Sequence, residues 1–355
     1  MNNKLSINII GVSKRIKKYY SHLLKRLILE EEVSIGYIYN RSLHKAISLR
    51  DFLGTGIPIN NLDDLKNSNP KNIAIVSLPS SISYKINIKL IKLGFNLFIE
   101  TPVAGKLWQA DILAKLKDKY KVFIGVGEDY CFSPESLLIN TYCKKNSIPK
   151  IVENTGKSYS YHAFALFTTL YKPNQLPKLK NYHSRRINSG NIKIINELYE
   201  FSDNNKYILQ SCQPSNYVAR TLGELKLYYP NLTLTDRFYI YKNKKRINQL
   251  IIKEEEGDLT KYKSSLIKNW KFKKLHSNKS SFPLEESKTN GLYYNFLECV
   301  RVLKNERKLM IPYGIENATF DLFLSKIQYL NKRLNISNLF LLKTIILILK
   351  FLRKI

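Results

Sequence analysis

Cysteine is scarce in this chain, with four in 355 residues. Cys131, Cys143, Cys212 and Cys299 lie far apart, form no CxxC pair and have no histidine nearby at metal-ligand spacing. That pattern excludes a disulfide framework and a zinc site, so no metal centre is expected, and it fits a reduced, cytoplasmic chain. Acidic residues are also few, 28 against 58 Lys and Arg, which leaves a formal net charge of +30. An excess of that size ordinarily points to nucleic acid or an anionic membrane. Here the lysines are scattered among Ile, Asn and Tyr through every segment, a compositional bias rather than one basic face. No motif of a known nucleic-acid docking module is present, so nucleic acid is not the expected partner. The opening MNNKLSINIIGV is too polar at its start, and its apolar run too short, to read as a secretory leader. Internal repeats and low-complexity linkers are lacking as well.

What is present is enough apolar material, 44% of residues, for two cores, at about 150 residues per domain. Up to residue 128, short β-rich runs alternate with helical patterns. Strands are expected at Ile7–Val12, Val33–Tyr39, Ile73–Leu78, Leu97–Ile99 and Val122–Val126. Between them the pattern predicts helices over Lys17–Glu30, Ser42–Phe52, Ser83–Leu93 and Lys106–Lys119, with Gly94 as a left-handed stop. This alternation predicts an α/β fold, a Rossmann-type doubly wound parallel sheet with its ligand crevice beyond the carboxyl ends of the strands. After residue 128 the rhythm changes. Strand-like stretches such as NYVARTLGELKLYY, RFYIYKN and INQLIIKEEE over 203–275, followed by helices at Tyr293–Lys304 and Ile315–Leu330, predict an α+β domain on a mostly antiparallel sheet. The expected division is therefore 1–128, 129–330 and a basic apolar C-terminal helix over 331–355.

Four turns carry the chemistry. GVSKRI, Gly11 to Ile16, keeps one glycine of the GxGxxG pattern that lets backbone amides approach a pyrophosphate at a helix N-terminus. Ser13 and Ile16 stand at the other two glycine places, and Ser13, Lys14 and Arg15 offer a hydroxyl and two charges to phosphate. At the end of the second strand, Asn40, Arg41 and Ser42 include no carboxylate for ribose hydroxyls, which favours NADP(H) over NAD(H). An ordinary strand-to-helix turn and a solvated polar turn are the alternatives to these two readings. The remaining turns are SLPSSISYK, with Leu78, Pro79 and Ser83, and NLFIETPVAG, with Glu100, Thr101 and Pro102.

Strand, glycine turn, NRS turn, strand ending in Pro, then LGFNLFIETPVAG and VFIGVGEDYCFSP together resemble the Gfo/Idh/MocA oxidoreductases, the glucose-fructose oxidoreductase and inositol dehydrogenase family. The likeness covers residues 5 to about 165 and continues more loosely through TNGLYYNFLECV and IPYGIENATFDLFLSKI. It implies a dinucleotide-binding domain followed by a large, mostly antiparallel sheet that often serves oligomerisation. It also implies that Glu100, Thr101, Pro102 and Ser83 lie near the nicotinamide. Two positions depart from the family pattern: Ser83 stands where a His is common, and Thr101 where a Lys is usual. Threonine cannot take a hydroxyl proton at neutral pH, so Thr101 argues against alcohol oxidation more than against hydride transfer as such.

A substitute proton donor is sought in KSYSYHAFALF, where Tyr161 and His162 follow a short strand at Lys150–Asn154 and open an apolar helix. Glu128, Asp129 and Tyr130 are further cleft candidates. His22, His44, His183 and His276 show no constellation, and the run KEEEGD reads as a solvated turn. The tail LFLLKTIILILKFL is shorter than the roughly 20 residues of a membrane span and carries Lys343 and Lys350. It fits an interfacial helix or one packed on the domain or on another subunit. The expected function is an NADP(H)-preferring reductase of a sugar, nucleotide-sugar or similar small polar substrate, homo-oligomeric through its C-terminal sheet. The alternatives are an inactive binding or assembly subunit and a membrane-surface protein of polysaccharide assembly.

Overall fold

The structure, a computed structural model, describes residues 4–30, 32–66, 71–128, 131, 143, 148–155, 161–171, 175–189, 192–213, 224–230, 233–235, 239–242, 245–249, 287–304, 313–334, 336, 338–353 and 355. The first unit is a parallel sheet of six strands in the order β3-β2-β1-β4-β5-β6. These are β1 (Leu5–Ile10), β2 (Val33–Tyr39), β3 (Ile57–Ile59), β4 (Asn72–Val76), β5 (Leu97–Glu100) and β6 (Ile124–Gly127). Every residue of β4, β5 and β6 is buried. Strands covered on both faces must be apolar throughout, which is why NIAIV and LFIE were readable as continuous runs.

Four helices wrap the sheet: α1 (Ser21–Leu29), α2 (Leu43–Leu53), α3 (Ser80–Lys92) and α4 (Leu107–Tyr120). Helix α3 ends as expected at Gly94, whose φ is +80°. The Gly94 and Phe95 amides turn back to the Ile91 and Leu90 carbonyls (2.9 and 3.0 Å), satisfying the last free acceptors of the helix. The sequence reading missed β3, because a three-residue strand containing Pro58 has too little periodicity to stand out. It also carried β1 to Val12, which lies in the turn, and placed the first helix at Lys17, whereas a π-helical turn over Ile16–Tyr20 precedes α1.

The second unit is an eight-stranded sheet, ordered β14-β13-β12-β11-β7-β10-β9-β8. Its members are β7 (Ile151–Thr155), β8 (Leu179–Ser189), β9 (Ile192–Phe201), β10 (Lys206–Gln213), β11 (Glu224–Tyr228), β12 (Thr233–Thr235), β13 (Tyr239–Lys242) and β14 (Lys245–Gln249). Among the described residues of this sheet, only the β7–β10 pairing is parallel. The sheet's first strand, β7, falls at the short strand expected over Lys150–Asn154, but its long strands begin at Leu179, before the expected 203. The runs KNYHSRRINS and KIINELYEF alternate polar and apolar residues because one face meets the core and the other solvent, so they lack a continuous apolar signal. KEEEGD, Asp129, Tyr130 and His276 lie outside the described residues.

On the core face of this sheet pack α5 (Tyr161–Thr168) and α7 (Ile315–Leu334), while α6 (Ser287–Leu303) returns to the first unit. Helix α6 starts six residues earlier than the sequence pattern suggests. The core is aromatic: Phe167 stacks on Tyr207 at 5.1 Å and on Phe201 at 4.8 Å between ring centres. Within it Glu197 accepts hydrogen bonds from Tyr182 (2.8 Å), from Tyr199 (3.3 Å) and from the Gln328 amide. Burial pushes this carboxyl above its ordinary range.

Two outcomes follow from these placements. A carboxyl whose folded pKa is raised contributes its full stability below the unfolded pKa and loses it as pH rises through the folded value. Glu197→Gln, neutral at every pH, should therefore flatten the decline of Tm as pH rises above the ordinary carboxylate range, as followed by thermal denaturation. Gly11 has φ +96°, and an added Cβ would stand 2.5 Å from Leu78 Cδ2 and 2.6 Å from the Ser77 carbonyl oxygen. Gly11→Ala should cost on the order of 2 kcal/mol or more in denaturant unfolding, because backbone strain and collision act together.

Candidate active site

The site lies where β1, β4, β5 and β6 end together, beside the point at which strand order reverses between β1 and β4. The chain leaves β1 at Gly11, whose amide donates to the Tyr39 carbonyl (2.9 Å). Asn40, at the end of β2, accepts from the Val12 amide (3.1 Å) and donates to the Ser42 carbonyl (3.2 Å). Ser13 receives the Ile16 amide (3.1 Å) and shares a hydrogen bond of 2.7 Å with Ser77 at the end of β4. The structure thus gathers Gly11, Ser13, Asn40 and Leu78 into one tight turn. Leu78 is half-buried, Pro79 is exposed as the N-cap of α3, and Lys14, Arg41 and Ser42 are exposed around the rim.

Three of the sequence expectations change here. Ile16 is fully buried in the first core and presents nothing to a ligand. Arg15 does not offer a spare charge to phosphate, because its Nε lies 2.6 Å from Glu100 Oε2. Glu100 itself turns inward and accepts the Tyr20 hydroxyl at its other oxygen. Gly127, opposite on β6, leaves the space: a Cβ there would come within 3.2 Å of Glu100 Oε1. Ser83 sits on the buried side of α3, its amide bonded to the Pro79 carbonyl at 3.0 Å. Thr101 is half-buried and precedes a cis bond to the exposed Pro102.

The second half of the site joins the two units. Glu128 directly follows β6 and is completely buried, and its Oε2 accepts a 2.7 Å hydrogen bond from Nδ1 of His162 in the first turn of α5. The backbone around it is held from α6, where the Asn295 amide donates to the carbonyls of Val126 (2.7 Å) and Glu128 (2.9 Å). Tyr161 opens α5, but its side chain lies outside the described residues. A further carboxyl, Asp321 of α7, accepts from the Tyr313 hydroxyl (2.7 Å) and from Thr168 (3.1 Å). Burial raises this acid far above the ordinary carboxylate range, and the charge of nearby Glu128 raises it further. Two acidic side chains thus share this buried region, one on the histidine and the other on Tyr313 and Thr168.

Sequence reasoning passed over Tyr20, Asn295, Tyr313 and Asp321. Asn295 falls in TNGLYYNFLECV and Tyr313 and Asp321 in IPYGIENATFDLFLSKI, segments already matched to the family's closing helices, and that was the one signal that could have found them. Of the other histidines, His22 packs edge-on against Phe52 at 5.2 Å, and His44 and His183 are exposed. Among the described residues no group of three His, Cys, Asp or Glu is placed to hold a metal ion.

The turn fits a dinucleotide. Gly11 occupies a cradle that a Cβ would fill, at the switch point of a parallel sheet, with a helix following it. Residues 5–128 match the Gfo/Idh/MocA family, described as an oxidoreductase family with an NAD-binding Rossmann fold. No curated protein matches the chain in sequence. Among solved structures it is similar to UDP-N-acetylglucosamine 3-dehydrogenase GnnA from Acidithiobacillus ferrooxidans, with 9% identity, 91% of this chain and 95% of that one covered, and a TM-score of 0.61. An oxidoreductase from Agrobacterium radiobacter in complex with NAD+, L-tartaric acid and magnesium is 8% identical over 92% and 95% of the two chains, with a TM-score of 0.63. The super-repressor mutant of Gal80p from Saccharomyces cerevisiae is 10% identical over 94% and 96%, with a TM-score of 0.64. At such identities the likeness is one of fold, and it extends over both sheets. The match to the NAD-binding Rossmann domain of the Gfo/Idh/MocA oxidoreductase family thus spans the six-stranded parallel sheet, residues 5–128.

Proposed function

We propose that the protein is an NAD(P)-dependent oxidoreductase acting on a small polar substrate, a sugar or nucleotide-linked sugar, held in the crevice beyond β1, β4, β5 and β6. The observation that carries this reading is the His162–Glu128 pair at the end of β6, 2.7 Å apart with the carboxylate wholly buried. Gly11, Ser13, Lys14 and Asn40 would hold the dinucleotide, with Leu78, Pro79 and Thr101 along its path. When bound, the nicotinamide supplies or accepts the hydride. Every other task falls to the chain's own groups.

Glu128 fixes the imidazole ring through Nδ1, so proton exchange with the substrate runs through Nε2. Tyr161, adjacent at the start of α5, belongs to the same proposal as a second donor. Thr101 is too weak a base for this task, which directs the reaction toward reduction, in which the enzyme gives a proton instead of taking one. Exposed Arg41 and the lack of a carboxylate at the end of β2 support NADP(H) over NAD(H). The nucleotide-sugar dehydrogenase among the similar folds supports the substrate class. Assembly into a homo-oligomer would use the outer face of the second sheet, where His183, Arg185 and Ile187 are exposed.

A second reading is favoured by a specific feature. Ser13, Ser83 and Thr101 stand where the family pattern has Gly, His and Lys, so three cofactor-site positions lack the usual groups, and Ser83 is buried. In this reading the protein is an inactive binding or assembly subunit, and a super-repressor shares the fold.

Calorimetric titration separates the two. The enzyme reading expects NADPH to bind more tightly than NADH, and the absence of binding by either at millimolar cofactor overturns it. With a turned-over substrate in hand, His162→Gln should lower kcat by about 10²–10⁴-fold while cofactor affinity stays within a factor of about two. Cofactor binding with a turnover that His162→Gln leaves unchanged removes His162 from the chemistry.

A further inference from the structure

The C-terminal helix α8 (Leu339–Phe351) is amphipathic in the opposite sense to an ordinary surface helix. Its inward side carries Leu342 and Ile346, both buried in the second core, and also its two lysines. Lys343 donates to the Leu179 carbonyl (2.7 Å), and Lys350 pairs with Asp111 of α4. Just beyond the helix, the Arg353 carbonyl accepts from Lys106 (2.9 Å) and from the Trp108 indole (3.3 Å), and the Arg353 guanidinium sits over the Trp108 ring. Polar groups thus fasten the helix to the body. The side left facing outward is apolar: Phe340 is 80% exposed, Leu347 68% and Phe351 85%, with Leu341, Ile348 and Leu352 beside them.

An apolar stripe of this extent on an otherwise polar protein needs a cover. Charge decides which. From Leu322 to Ile355 the chain holds seven Lys or Arg residues and no Asp or Glu. Lys332 and Arg333 stand before the helix, and Lys350 and Arg353 at its far end. Pairing two copies through this face would set like charges against each other, in a protein already at +30. An anionic surface attracts the same charges, at about 1 kcal/mol per basic residue near the headgroups. Thirteen residues reach only about 20 Å, short of a bilayer core, so the helix lies along the surface and does not cross it. No single helix among the described residues is long and apolar enough to cross a membrane.

We propose that α8 is a membrane-docking helix, its Phe340–Leu347–Phe351 face entering the interface of an anionic bilayer while the exposed Arg333 and Arg353 meet the headgroups. Docking is independent of the redox reading. Leu341, Ile348 and Leu352 enter beside the three leading side chains, and the body of the protein replaces the polar face that a free interfacial helix would need.

The test is sedimentation of the full chain with phosphatidylcholine vesicles, and with vesicles of equal parts phosphatidylcholine and phosphatidylglycerol. The native chain should pellet with the anionic vesicles. The double variant Leu347→Glu, Phe351→Glu alters only exposed positions, so its Tm should match the native one while its vesicle affinity falls at least about tenfold. Leu29→Glu, at another exposed leucine on α1, should bind as the native chain does. Failure of the native chain to pellet overturns the proposal. So does equal pelleting of the double variant, which would mean adsorption by charge alone. A dimer seen by light scattering that the double variant abolishes, without vesicle binding, assigns the face to a second copy.

Discussion

A carboxylate with no solvent exposure is the constraint around which this molecule is assembled. Glu128 ends the last strand of the nucleotide-binding sheet, and a buried charge of this kind is tolerated only with a partner. The partner, His162, comes from α5 of the second unit, and the surrounding carbonyls are held by Asn295 from a helix far along the chain. Three distant segments converge on one residue. The junction between the two sheets is therefore also the place where a histidine ring is held in one orientation. Burial, and the charge of Glu128 beside it, hold the nearby Asp321 carboxyl far above the ordinary carboxylate range.

The floor of the nucleotide crevice follows a similar logic. With one glycine in place of three, the first turn is tightened by other means: Ser13 caps the following helix, Asn40 ties down the Val12 amide, and the Ser13–Ser77 bond draws β1 and β4 together. Glu100 is neutralised by Arg15 and capped by Tyr20. These contacts keep the turn closed and leave Arg15 and Glu100 paired with each other. They are consistent with chemistry that draws its proton from the far wall of the cleft.

The helix at the C-terminus shows how position reverses the meaning of a pattern. Lysines within LFLLKTIILILKFL look like the polar side of a surface helix. In the fold they turn inward to Leu179 and Asp111, and the apolar residues face out. Periodicity fixes the angular separation of side chains but says nothing about which side meets the protein.

Much of the architecture was legible because it is local. Apolar runs such as NIAIV and LFIE, the stop at Gly94 and the turns at Gly11, Asn40 and Glu100 are written in adjacent residues, and doubly covered strands need continuous apolar sequence. That alone determined a parallel nucleotide-binding sheet and the strand ends at which a ligand would sit. The tertiary structure decided the rest. That Arg15 is spent on Glu100, that Ile16 is core, that Glu197 meets Gln328, and that Glu128 meets His162 are facts about residues between 34 and 131 positions apart, or about the side of a helix that is covered. A charge or hydroxyl has the same composition and local spacing whether it is paired or not. Only the folded chain brings its partner within hydrogen-bond reach, and burial then sets what that pairing is worth.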